Sequence, residues 1–164
     1  MTAAGGLKLA GAALLIAAGW LLGRRGTDAL RRRAALLRAI SVSLGVMADE
    51  LTTLGTPLPS IFERLRGRPF FELLAAGFGG EPLPKLWRRA AEAQGLDAKD
   101  TEALSSLGAV VGRYDASRQA AEIALVRRSL DDSAAAVERE LAGRAKSYAG
   151  LGAACGAILA VILF

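Results

Sequence analysis

The chain has 164 residues, 21 Lys and Arg against 16 Asp and Glu, a formal net charge of +5, no His and one Cys. That length holds one domain at most alongside any membrane segment, and the missing His and solitary Cys exclude a zinc cluster and an internal disulfide framework. Apolar residues make up 52% of the chain, yet every acidic residue and every basic residue except Lys8 lies between Arg24 and Lys146. The apolar and charged populations are therefore segregated along the sequence. The positive excess flanks an apolar run, where anionic lipid and topology account for it better than nucleic acid does.

The first apolar run is Leu7 to Gly23, interrupted only by Lys8. It is about 25 Å long as a helix, against a bilayer core of about 30 Å. Lys8 would snorkel to the outer interface. Arg24 and Arg25 follow the run instead of preceding it, which argues against a cleaved signal peptide. A second run, Ala149 to Phe164, carries no charge. Cys155 sits within it as a small hydrophobe. The reading is two short terminal transmembrane helices, over 1–23 and 149–164, flanking a helical domain over 24–148. Arg24, Arg25, Arg31, Arg32, Arg33 and Arg38 follow the first run, and Arg139, Arg144 and Lys146 precede the second. The positive-inside rule then puts the central domain in the cytoplasm and both termini outside.

From Thr27 the spacing of Leu30, Leu37, Ile40, Leu44, Met47, Leu51 and Leu54 predicts a helix with one apolar stripe, closed by Gly55. Thr56 is expected to cap a second helix with Pro57 at its first position, followed by Ile61, Phe62 and Leu65. Pro69 is expected to open a third. Gly77, Gly79 and Gly80 form a flexible connection that lacks the Gly-Lys-Ser/Thr of a phosphate cradle. Pro82 and Pro84 open a helix ending at Gly95, and Asp97 caps another running to Gly112. Asp115 caps the last and longest, in which Ile123, Val126, Leu130, Ala134, Val137, Leu141, Ala145 and Tyr148 follow a heptad-like seam. This helix is expected to continue into the second apolar run and to pair antiparallel with the first. No stretch alternates strictly enough for a strand. The fold class is all-α: two terminal membrane helices around an antiparallel helical bundle.

Three constellations are more specific than periodicity. The first is Glu50-Leu51 followed by Thr56-Pro57-Leu58, a helix end, turn and restart; Glu50 reads as a solvated carboxylate ahead of one with a basic partner. The second is Leu107-Gly108, Gly112, Asp115 and Gln119. There Gly108 permits close helix approach, Gly112 ends a helix and Asp115 caps the next. The third is Leu151-Gly152 and Gly156, whose small residues four apart suit helix contact in a membrane.

In this order and over essentially the whole chain, these features resemble the stage III sporulation protein AB family of endospore-forming bacteria. Thr53 departs from the aromatic residue frequent in that family, and Val111 stands in place of a leucine. The resemblance implies a non-enzymatic platform or adaptor subunit of the channel joining mother cell and forespore. It further implies likeness to the cytoplasmic helical module of type II secretion and type IV pilus platform proteins. Implied partners are a secretion-type ATPase, other membrane subunits of the channel and the lipid bilayer, with no nucleic acid and no cofactor; self-association into a homo-oligomer is open. The implied location is the mother-cell membrane around the forespore. No catalytic or metal-binding residues are implied. Charged residues of the helical head, Arg64, Arg66, Arg68, Arg88, Arg89 and Asp100, are candidates for docking. The competing class is a small oligomeric pore or transporter component, although neither apolar run carries the polar groups an ion path needs.

Overall fold

The computed structural model describes the backbone of residues 27–163 and the side chains of residues 27–144. The described chain is helical, with one isolated bridge between Phe78 and Glu81 in place of any strand. Helix α1 occupies 27–49 and passes into a π turn, Glu50–Leu54. Then come α2 (Leu58–Arg64), α3 (Phe71–Gly77), α4 (Leu83–Glu92), α5 (Ala98–Leu107) and α6 (Ala116–Leu163).

The all-helical expectation holds, but the expectation of two terminal membrane spans is not supported. Among the described residues no helix is long and apolar enough to cross a membrane. The reason lies in α6 itself. Its 48 residues are ample, yet Arg144 and Lys146 leave an uncharged stretch of only about 25 Å up to Leu163, against about 30 Å of hydrocarbon. The run from Leu7 to Gly23 lies outside the described residues.

Contacts divide the chain into two units, Arg33–Ala136 and a second made of the segments before and after it. In the second unit, Asp28 pairs with Arg31 at 3.8 Å and Glu140 with Arg144 at 2.6 Å, both one helical turn apart. Such exposed pairs contribute about 0.3–0.5 kcal/mol each.

The larger unit contains one hydrophobic core drawn from every helix. Leu37, Ile40, Leu44 and Met47 of α1 and Ile123, Val126, Leu130 and Ala134 of α6 belong to it. The two helices run antiparallel: Arg38 meets Asp131 at 3.9 Å. Further along, a Cβ on Gly45 would stand 2.8 Å from Cζ of Arg127. The bare backbone at Gly45 therefore makes room for a guanidinium lying against α1.

The short helices contribute the aromatic part of this core. The Trp87 ring lies 5.2 Å from that of Phe70 and 6.1 Å from that of Phe62. Phe70 precedes α3 with φ of +74°, a conformation costly for a side chain with a Cβ. Burial of its ring against Phe71 and Trp87 holds it there. The third helix accordingly begins at Phe71 and not at Pro69.

The glycine-rich connection is a formed turn. Gly80 N–H donates to the carbonyl of Gly77 at 3.1 Å, and Glu81 pairs with Arg89 at 2.6 Å. Gly108 allows the close approach its type suggests, since a Cβ there would stand 2.7 Å from Cβ of Trp87 and 3.1 Å from Cα of Pro84. Helix α5 therefore ends at Leu107, earlier than the spacing predicts. From there to Arg113 the chain continues in tight turns, with Val110 N–H donating to Leu107 and Arg113 N–H to Val110.

Candidate functional site

The first constellation folds around a carboxylate. Gly55 adopts a left-handed conformation, φ +58°, which reverses the chain after the π turn. Thr56 is thereby brought back over Glu50, its N–H donating to the Glu50 carbonyl at 3.2 Å and its hydroxyl to Glu50 Oε2 at 2.8 Å. Arg64 Nη1 donates to the other carboxylate oxygen. Glu50 is buried, so the solvated reading of this carboxylate is replaced by a clamp linking α1, the turn and α2.

Thr56 consequently does not cap α2. The cap is Pro57, whose carbonyl accepts from Ser60 and Ile61 while no side chain contributes. Leu58 is the first residue of the helix. The π turn also inserts one residue into the helical phase, and that rotates Leu54 off the buried stripe to 65% exposure.

The second constellation folds around an amide. Gln119 is buried at the start of α6. Its Oε1 accepts from the N–H of Gly112 at 3.0 Å, and its Nε2 donates to the carbonyl of Tyr114 at 2.5 Å. Gly112 has φ of +79°, so it ends the turn and not the α-helix. Asp115 accepts from the N–H of Arg118 at 3.0 Å and from the Ser117 hydroxyl. The Ser117 bond, then the Arg118 N–H, holds the Asp115 carboxyl below its ordinary range. Tyr114 is left 45% exposed, with the Arg118 guanidinium 4.3 Å above its ring.

The second loop lies against the first residue of α2. A Cβ on Gly112 would stand 3.1 Å from Leu58 Cδ1. Two buried polar side chains, Glu50 and Gln119, thus each hold a turn that carries an exposed large hydrophobic residue, Leu54 and Tyr114 respectively.

The charged candidates of the head divide differently from the sequence expectation. Asp100 is fully buried, which removes it from any exposed docking surface. Its Oδ1 accepts from the Ser133 hydroxyl at 2.7 Å and its Oδ2 from Arg33 Nη2 at 3.3 Å. The same guanidinium binds Asp97, whose other oxygen caps α5 through the N–H of Asp100 at 2.9 Å. The cap bond first, then Arg33, lowers the Asp97 pKa. Arg33 is raised despite burial, which alone would lower it, because both carboxylates bind it. One cation therefore ties α1 to α5, and Asp100 extends the tie to α6.

Arg64 is held by Glu50, Arg66 pairs with Glu63 at 2.5 Å, and Arg89 pairs with Glu81. Arg68 reaches Ser43 on α1 at 3.5 Å. Arg88 is exposed. Gly152 and Gly156 lie on the backbone of α6, but their surroundings fall outside the described side chains. Among the described residues no group of His, Cys, Asp or Glu is placed to hold a metal ion. The sequence reading did not single out Leu54 and Tyr114 as surface residues. For Tyr114 the signal was an aromatic between a turn glycine and a capping aspartate, whereas Leu54 gave none.

A family model described as stage III sporulation protein AB matches residues 8–164. This establishes the resemblance drawn from the sequence constellations. No curated protein and no solved structure matches the chain.

Proposed function

The chain belongs to the stage III sporulation protein AB family, and on that premise we propose that it is a non-enzymatic adaptor of a sporulation export channel. Membership over nearly the whole chain carries this reading and makes the protein sporulation-related; the finer role is our inference. In it, the helical unit docks a secretion-type ATPase on the mother-cell side of a channel leading to the forespore. A surface that is held rigid and presents apolar side chains to solvent supports an adaptor, because such a surface binds a partner with little ordering cost.

The test is affinity purification of the full-length protein from sporulating cells, with copurifying proteins identified by mass spectrometry. The adaptor reading expects a secretion-type ATPase among them, depleted when the bait is absent. Recovery of the chain without an ATPase, under conditions that preserve another membrane complex of the same cells, would overturn it.

A further inference from the structure

A helix that buries one face ordinarily turns a mixed polar surface to solvent. Between Ala121 and Ala136, α6 does otherwise. Ala121, Leu125, Arg128, Asp132 and Ala136 are all exposed, and their spacing gathers them within about 80° of the helix circumference. A single exposed leucine is ordinary. Leu125, however, stands mid-helix at 58% exposure, on a stripe whose other members are two alanines and one charge of each sign. The chain offers two basic and two acidic residues here, Arg127, Arg128, Asp131 and Asp132, and one of each is turned to α1. Arg127 lies against Gly45, and Asp131 meets Arg38 at 3.9 Å. Arg128 and Asp132 face outward, and neither has a partner among the described residues. They do not pair with each other, since a base one turn before an acid is the weaker order within a helix.

Along α6 this outer face therefore runs apolar, positive, negative, apolar. That order is its own complement when reversed. A second copy laid parallel and in register sets each charge against its like, and a staggered parallel copy satisfies only one of the two pairs. An antiparallel copy satisfies both: a two-fold axis level with Leu130 brings Arg128 opposite the partner's Asp132 and Asp132 opposite the partner's Arg128. Leu125 then lies beside the partner's Ala136, and the alanines let the two backbones approach. We propose that α6 pairs antiparallel with α6 of a second copy of this chain through this face. An isologous contact requires a self-complementary surface, and the two unengaged opposite charges flanked by apolar residues supply one. The face covers 16 residues of a single helix, about 24 Å, so the dimer is of the small, reversible kind. The inference goes beyond the adaptor reading and does not depend on an ATPase.

Sedimentation equilibrium of the full-length protein, in a detergent matched in density to the solvent, tests the pairing. The proposal expects a monomer–dimer equilibrium that Arg128→Asp and Asp132→Arg each weaken by roughly tenfold. Combining R128D with D132R should restore it to within about threefold, because the two changes are coupled across the axis. All these side chains are exposed, so the helical circular dichroism should stay unchanged throughout. Disulfide formation in a Cys155→Ser background reads the direction. A mixture of L125C and A136C proteins should join position 125 of one copy to position 136 of the other, and L125C alone should not join to itself. A monomer at every concentration, single reversals that leave the equilibrium unmoved, a combined reversal that restores nothing, or a 125-to-125 disulfide would each overturn the proposal. So would crosslinking from position 125 in sporulating cells that captures a different protein and no second copy of this chain.

Discussion

Two polar clusters sit in the larger unit, and they do different things with similar chemistry. Around Arg33, a cation, two aspartates and a serine join three helices. None of the exposed large hydrophobic residues among those described is a sequence neighbour of that cluster. Around Glu50 and Gln119, polar side chains are also buried, yet they hold turns that carry Leu54 and Tyr114 into solvent. The first cluster fixes how helices meet. The second fixes a surface. Burial of a polar group thus does not by itself mark function; what it holds in place does.

The largest expected effect breaks the first cluster. Arg33→Ala leaves Asp100 buried with Ser133 as its remaining side-chain partner; because the Arg33 side chain keeps 34% of its surface exposed, the cost is about 2–3 kcal/mol, below that of a fully buried pair. Urea unfolding of the full-length protein measures this. A loss below about 1 kcal/mol would mean that the cluster is not a structural tie. Gln119→Ala sharpens the comparison from the other side. It removes the acceptor of Gly112 and the donor to Tyr114, an expected loss of about 1–3 kcal/mol.

Acid separates the clusters more gently. The Asp97 carboxyl is held below its ordinary value by the Asp100 N–H and by Arg33. Its contribution to stability is therefore complete above the ordinary carboxylate pKa of about 4 and is lost as pH falls through the lower folded value. Asp97→Asn retains a capping side chain and should flatten that acid limb of the stability profile; an unchanged limb would remove Asp97 from the account. The smallest effect is expected at the surface itself. Leu54→Ser and Tyr114→Ser should each change stability by no more than about 0.5 kcal/mol, because neither side chain belongs to the core. A larger loss would make these residues structural.

Much of the framework was legible in the sequence, for local reasons. Asp115 capping α6 is a matter of adjacent residues, as is the close helix approach at Gly108. The seam from Ile123 to Val137 repeats often enough to specify a buried face. What stayed hidden depends on tertiary partners or on a single inserted residue. Asp100 reads as an ordinary first-turn carboxylate of α5; only the arrival of Arg33, 67 positions earlier in the chain, makes it buried. Thr56 had two acceptable roles, cap or carboxylate donor, and the left-handed Gly55 selected the second. The π turn has no residue signature, so the stripe that correctly placed Leu51 inside carried Leu54 with it. The second apolar run reads as a short membrane span, yet among the described residues no helix is long and apolar enough to cross a membrane.

The central claim is that the turns carrying Leu54 and Tyr114 are held rigid by buried side chains although they lie at the surface. Amide hydrogen exchange of the full-length protein tests it most directly. The account predicts slow exchange at the amides of Thr56 and Gly112, with Gly112 becoming fast in the Gln119→Ala protein while the amides of α5 stay protected. Fast exchange at both amides in the unmodified protein would contradict it, because loops that open freely offer a partner no prearranged surface.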